Sequence, residues 1–325
     1  IRSGHHSKNL KSRISILAAL LLLAGAAALP APSLAANTLF DRTVRKANPN
    51  EWAQVHSDIR ADPFVRFGVL ANGMRYAIMR NATPSGQAAL RLRFDAGSLM
   101  ETDAQQGLAH FLEHMAFNGS KRVAEGEMLK ILERHGLAFG ADTNASTTWT
   151  ETVYQLDIPK ADSETLDTSL MLLRQVGSEL TLSQEAIDRE RGVILSEERS
   201  RDTPGLHVYK ASLGFLLKDQ LPSRRLPIGK VEVIEKAQQK DLEEFYHRYY
   251  RPERAVLVAI GDFNVLAMEA RIKARFSDWH PVGKPGPEPA LEAPKGRGEE
   301  TKVVVEPGAG SSIQMSWVKN PDLSP

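Results

Sequence analysis

The 325-residue chain contains no cysteine. That absence excludes disulfides, thiolate zinc sites, thiol nucleophiles and a lipidated N-terminal cysteine. The chain also lacks a charge imbalance: 41 Lys and Arg meet 40 Asp and Glu, for a net charge of +1. Nothing in that balance points to nucleic acid or an anionic surface as a partner. No apolar run reaches the ~20 residues that a bilayer-spanning helix needs. The longest, Ile14 to Leu29, has 16. What remains, 42% hydrophobic and 25% charged residues, is the composition of a soluble globular protein with one large or two ordinary domains.

The short apolar run has a context of its own. Lys8, Lys11 and Arg13 precede it, Pro30 breaks it, and Ser33-Leu34-Ala35-Ala36 follows with small residues. This is the pattern of a secretory signal peptide over residues 1–36. Cleavage near Ala35-Ala36 would give a secreted or periplasmic chain with no stable membrane insertion. An uncleaved anchor is the alternative, and the run is short for one. The chain opens on Ile1 rather than Met, so residues 1–6 read as a remnant and His5-His6 not as a metal site.

Metal chemistry is written instead at His110-Phe111-Leu112-Glu113-His114, inside Gly107 to Ser120. On a helix, residues four apart share a face, so His110 and His114 can grip one Zn²⁺. Glu113 can lean toward the metal without binding it, as a general base for a zinc-bound water requires. His-x-x-Glu-His inverts the commoner His-Glu-x-x-His order. The bland alternative is an amphipathic helix with two solvated histidines and a core face of Leu108, Phe111, Leu112 and Met115. A third ligand is wanted, and Ser183 to Ser200 offers candidates on a helix capped by Ser183. Glu190 and Glu197, seven residues apart, share one face of it. One can supply the carboxylate and the other a hydrogen bond to a ligand imidazole. As ordinary solvated acids they would pair with Arg189, Arg191 and Arg199 instead.

The segment Gly107 to Ser120 resembles the zinc helix of the pitrilysin–insulinase family of inverzincin metallopeptidases, which includes mitochondrial processing peptidases. Further family motifs follow in order. They are Asn144-Ala145-Ser146-Thr147 with Thr152-Val153-Tyr154, the Glu190/Glu197 pair, Pro227-Ile228-Gly229, Phe245 to Pro252, and Gly261-Asp262. The resemblance spans roughly residues 65–280. It implies a zinc-dependent endopeptidase acting on extended peptides or small unfolded proteins. His110, His114 and Glu197 would hold Zn²⁺, Glu190 would support a ligand, and Glu113 would be the base. It also implies that Thr143 to Thr147 is an edge strand to which peptide substrate adds, with Asn144 and Ala145 near the scissile bond. Asn144 can equally be a strand-end residue making local backbone bonds. Inactive family members that only bind a peptide or partner chain are the alternative reading, and they usually lose zinc-site residues. His56, His135, His207, His247 and His280 have no partner at ligand spacing and read as structural.

The expected fold is α+β, a mixed or antiparallel sheet with helices packed on one face. Strands are expected at 66–70, 74–79, 88–94, 143–148, 152–158 and 255–260. Helices are expected at 105–117, 125–135, 163–176, 183–200, 205–217, 240–249 and onward to Ala274. Residues 37–64 form a polar lead-in anchored by Phe40 and Trp52, and 65–280 the metallopeptidase domain. Five Pro and four Gly between 281 and 300 mark a linker. Val303 to Val305 and Ser312 to Trp317 read as strands opening a related second domain, truncated at Pro325. In the family that domain closes over the zinc, so a missing C-terminal half or a homologous partner subunit is the expected partner.

Overall fold

The computed structural model describes residues 51–138, 140–291 and 296–317, which belong to one compact unit. The expected signal peptide and Phe40 lie outside the described residues. The centre of the unit is a six-stranded sheet in the order β1-β2-β6-β3-β5-β4. Its strands are β1 (Val65–Val69), β2 (Arg75–Arg80), β3 (Ala88–Phe94), β4 (Thr143–Thr147), β5 (Thr152–Ile158) and β6 (Ala255–Gly261). Only the β2–β6 pairing is parallel; the others run antiparallel, so the sheet is mixed.

Each strand follows from its sequence. β3 alternates, with Leu90, Leu92 and Phe94 fully buried and Arg91 and Arg93 on the other face. β6, Ala-Val-Leu-Val-Ala-Ile-Gly, is almost continuously apolar and takes a central place between β2 and β3. The β1–β2 hairpin turns at Gly73, whose φ of 91° suits glycine. Asn72 beside it donates to the carbonyls of Phe276 and Trp279 at 2.7 and 2.9 Å, tying the hairpin to the end of the last helix. Trp52 covers Phe67 edge-on at 4.9 Å, the anchoring expected of the lead-in.

The helices are α1 (Leu108–Met115), α2 (Glu127–Arg134), α3 (Ser163–Ser178), α4 (Gln184–Arg201), α5 (Pro204–Leu216), α6 (Val231–Ile234), α7 (Gln239–Tyr249) and α8 (Val265–Phe276). α3 and α8 pack on each other and on the sheet, while α1 packs against α4, α7 and β4. Leu108, Phe111, Leu112 and Met115 put α1 in the hydrophobic core, each at most 1% exposed. At ~1.5–3 kcal/mol per buried side chain, that packing outweighs the weak intrinsic stability of so short a helix.

Two expectations need correction. α1 starts at Leu108 rather than Gln105, because Thr102 and Gln105 close a separate 3₁₀ turn over Asp103–Gln105 and Gly107 is left-handed, with φ of 106°. No strand forms within 301–317. Val303, Val305, Ile313 and Trp317 are 76–96% exposed, and no strand pairs with them among the described residues. A strand has no stability without a neighbour to accept its backbone hydrogen bonds, so the apolar alternation there stays unused. Residues 281–291 and 296–300 carry no helix or strand, as the Pro and Gly content requires.

Candidate metal centre

The site is assembled by α1, α4 and the edge strand β4. α1 is placed at its N-terminus by a crossing of two glycines. A Cβ on Gly229 would sit 2.3 Å from the Cα of Gly107, so only glycine fits there. This gives the Pro227-Ile228-Gly229 motif a physical role: it lets the chain pass over the start of α1. Gly107 offers no side chain to cap the helix. Glu101 does so from the preceding loop, accepting from the Ala109 N–H at 2.9 Å. Arg225, 5% exposed, locks that loop by donating to the Glu101 carbonyl and to Asp103. Burial pushes the Glu101 carboxyl up to about 8, against its bonds from Ala109 and Gly107 and the nearby Arg225 charge.

With α1 so held, His110 and His114 point from one face, their rings 4.7 Å apart at 82°. α4 is capped by Ser183, which accepts from the Ala186 N–H. Two turns apart on its inward face stand Glu190 and Glu197. Glu197 Oε2 lies 3.3 Å from His114 Nε2 and 3.6 Å from His110 Nε2. One ligand atom from each of these three residues falls within 4.8 Å of the others. The donor set can be tested against zinc directly. Tetrahedral bonds of ~2.0–2.2 Å place neighbouring ligand atoms roughly 3.3–3.5 Å apart, close to the two distances measured here.

The surroundings set each group's protonation. His114 Nδ1 meets Glu190 Oε1 at 2.7 Å. With the ring proton there, the Nε2 lone pair faces Glu197 and is free for a metal. Burial opposes protonation of His114, but the bond and charge of Glu190 outweigh it and raise its pKa. The same bond lowers the pKa of Glu190, whose second oxygen accepts from Asn118 at 3.0 Å. His110 is 6% exposed, and burial with the neighbouring His114 brings its pKa down to about 3, so it stays neutral. Its Nδ1 has no hydrogen-bond partner among the described residues. Arg201, one turn on from Glu197, pairs with the other oxygen of that carboxylate.

Glu113 is 8% exposed, and burial raises its pKa; a hydrogen bond donated by Thr147 Oγ1 to Oε2 works the other way. Thr147 ends β4, so the same strand that carries Asn144 and Ala145 terminates beside the candidate base. Among the described residues β4 pairs only with β5 and forms the edge of the sheet. Asn144 is exposed, and its side-chain oxygen accepts from the Ala145 N–H at 2.9 Å. That is the local backbone bond of the plainer reading, and no hydrogen bond links Asn144 or Ala145 to His110, His114 or Glu197 among the described residues.

The solvated-acid alternative for α4 predicted other pairings. Arg189 bonds Glu125, and Arg191 bonds Asp188 and the carbonyls of Ile234 and Ala237. Neither arginine pairs with Glu190 or Glu197. Four residues of the site were not singled out from sequence. Asn118 and Thr147 stood inside the quoted motifs without a role, and Arg201 was signalled by its i,i+4 spacing from Glu197. Glu101 gives no sequence signal, since its role depends on a loop folding back over a helix end.

A mixed sheet with a two-helix His₂Glu donor set and an adjacent buried carboxylate defines a candidate metallohydrolase of the inverted-motif kind. Comparison with known proteins then gives the family. The insulinase family, peptidase family M16, matches residues 76–208, and the peptidase M16 inactive domain matches residues 236–324. The chain belongs to this family of peptidases. It is similar to the probable zinc protease PqqL of Haemophilus influenzae, 31% identical over 70% of this chain and 25% of that protein. Zinc protease PqqE of Helicobacter pylori is 29% identical over 77% of this chain and 54% of its own length. Among solved structures, the first half of the periplasmic protease PqqL from Escherichia coli superposes with a TM-score of 0.69. It is 32% identical, covering 73% of this chain and 51% of that one. The chain thus spans about a quarter to a half of the length of these relatives. No helix among the described residues is long and apolar enough to cross a membrane.

Proposed function

We propose that this chain carries the catalytic metal centre of a zinc-dependent endopeptidase for extended peptides or small unfolded proteins. The observation that carries the proposal is the convergence of His110, His114 and Glu197 from two helices beside buried Glu113. His110 and His114 would bind zinc through Nε2 and Glu197 through Oε2, with Glu190 orienting His114. Bound zinc supplies Lewis acidity that acidifies water and polarises a carbonyl.

The chain's own groups do the rest. Glu113 takes a proton on Oε1, the oxygen that Thr147 does not engage, and later delivers it to the leaving amine. Burial raises its pKa, which strengthens the carboxylate as a proton acceptor. The free edge of β4 receives the substrate backbone as an added strand, with Asn144 and Ala145 alongside it. The reading as a non-catalytic binding partner fits less well, because the two histidines, Glu113 and Glu197 are all present.

The wider setting is part of the proposal. The signal-like residues 1–36 support export to the periplasm, the compartment of the Escherichia coli protease PqqL. Because the relatives are longer, we take residues 65–280 as the catalytic domain and 281–300 as a linker. A further half, in the same chain or from a partner subunit, would exclude water and position the peptide. Glu113→Gln is the decisive variant. It should keep its zinc in metal analysis and lose at least ~10²–10⁴-fold in peptide hydrolysis, measured within the longest chain available. Unchanged turnover would reject the role of Glu113.

A further inference from the structure

Away from the metal centre, a cleft of about 230 Å³ opens between α3 and α8. Its walls carry three arginines from three separate segments. Arg174 comes from α3, Arg275 from α8, and Arg122 from the loop after α1. Two carboxylates, Glu179 and Asp278, share the lining, so cations outnumber anions there.

The arginines are not satisfied by what surrounds them. Arg174 is only 9% exposed, stacked 5.7 Å from the Trp279 ring, yet its Nε has no hydrogen-bond partner among the described residues. Its terminal nitrogens reach Glu179 at 3.4 Å and Asp278 at 3.5 Å, both long for a charge-assisted bond. Glu179 is also shared with Lys121 at 3.3 Å. The side chains of Arg122 and Arg275 make no hydrogen bond or ion pair among the described residues. Their backbones are nonetheless held in place. Gln175 Oε1 accepts from the Arg122 backbone N–H and from Ser120 Oγ, which pins the loop to α3. Arg275 sits in the last turn of α8.

The Arg174 Nε is closed off from solvent, so what this guanidinium offers a ligand is its terminal nitrogens, which the two carboxylates hold only at 3.4 and 3.5 Å. Planar forks from several directions around one small polar cleft match the tetrahedral oxygens of a phosphate group. We propose that the cleft between α3 and α8 binds a phosphate-class oxyanion, as free phosphate or as a phosphomonoester, through Arg122, Arg174 and Arg275. This does not depend on the peptidase reading, since no metal-site residue lines the cleft.

The test uses the whole chain with EDTA present, so that no anion is held through a metal. Thermal unfolding is followed with inorganic phosphate, with glycerol 3-phosphate, and with chloride at matched ionic strength. Phosphate at tenfold excess over its dissociation constant should raise the midpoint by roughly 2–4 °C over chloride. The Arg122→Ala/Arg275→Ala double variant removes no hydrogen bond or ion pair within the described residues, so it should fold. It should bind phosphate at least ~10-fold more weakly, the loss of one charge-assisted contact. A stronger effect of glycerol 3-phosphate assigns the site to phosphomonoesters, and a weaker one to free phosphate. A phosphate effect no larger than that of chloride, or one undiminished in the double variant, overturns the proposal.

Discussion

Replacing Glu190 by Gln tests whether this carboxylate orients a ligand or is one. Glu190 makes two bonds at the site: Oε1 to His114 Nδ1 at 2.7 Å and Oε2 to the Asn118 side-chain amide at 3.0 Å. Glutamine has nearly the same shape but one acceptor and one donor in place of two acceptors. If its oxygen faces His114, its NH₂ meets the NH₂ of Asn118, and that bond is lost. If it turns round, His114 Nδ1–H loses its acceptor instead. A hydrogen bond to a charged group contributes ~1.5–3 kcal/mol and a neutral one ~0.5–1.5, so the variant gives up about 1.5–2.5 kcal/mol at the ligand's support. That corresponds to roughly 10–100-fold weaker zinc binding, the range typical for groups that orient a metal-bound histidine. Competition against a chromogenic chelator at constant pH measures it, with circular dichroism as the control for folding. An affinity within threefold of the parent would show that Glu190 does not support His114. A loss as large as that of Glu197→Gln would show that Glu190 itself binds the metal.

The other tests are shorter. Glu197→Gln should strongly reduce bound zinc in metal analysis while Glu198→Gln leaves it unchanged, since Glu197 Oε2 faces both imidazoles; the reverse result would mean that the donor set is misassigned. Thr147→Val removes the hydrogen bond to Glu113 and should lower kcat/KM by roughly 10-fold with zinc content intact; an unaltered rate would separate Thr147 from the base. Glu101 holds its proton in the folded state from its ordinary value of 4.5 up to about 8, so folding stability falls as pH rises through that window, by at most about 5 kcal/mol. Denaturant unfolding of Glu101→Gln should show a flatter profile between pH 5 and 8, and a slope equal to the parent's would refute the buried carboxyl as its source.

Much of the fold was legible because local pattern and tertiary burial agree. The alternation of β3 and β5 and the apolar run of β6 put each strand within a residue or two of its expected limits. Ser183 and the acidic and basic ends of α4 marked that helix in the same way. Spacing alone placed His110 beside His114 and Glu190 on the same face as Glu197. Spacing could not choose between those two glutamates, because the choice depends on how α4 slides along α1. The family resemblance made it; in the structure Glu197 Oε2 lies 3.3 and 3.6 Å from the two Nε2 atoms, while Glu190 bonds His114 at Nδ1. Illegible features all depend on distant chain segments meeting. Thr147 reaches Glu113 across 34 residues, and Arg225 reaches the Glu101 loop across 124. The exposed valines at 303 and 305 show the converse, a strand pattern that no neighbour completes.

The eight residues of α1 have two duties that compete for one small surface. Its length is well below the ~12–15 residues at which an isolated helix becomes stable, and no side chain of its own caps it. Order must therefore come from packing, and Leu108, Phe111, Leu112 and Met115 provide it by filling the core. The remaining face holds His110 and Glu113, which are polar and almost as buried, and the half-buried His114. Such groups are tolerated only if each has a partner, and α4 and β4 bring those partners: Glu197, Glu190 and Thr147. The exception is His110 Nδ1, which stays unpartnered. The helix that anchors the core is thus the helix that fixes the donor atoms, and any shift of α1 that relieved the polar burial would open cavities on its apolar side. Rigidity of the site comes from this opposition. It explains how three side chains on two helices, separated by more than 80 residues of sequence, come within a few ångströms of one another.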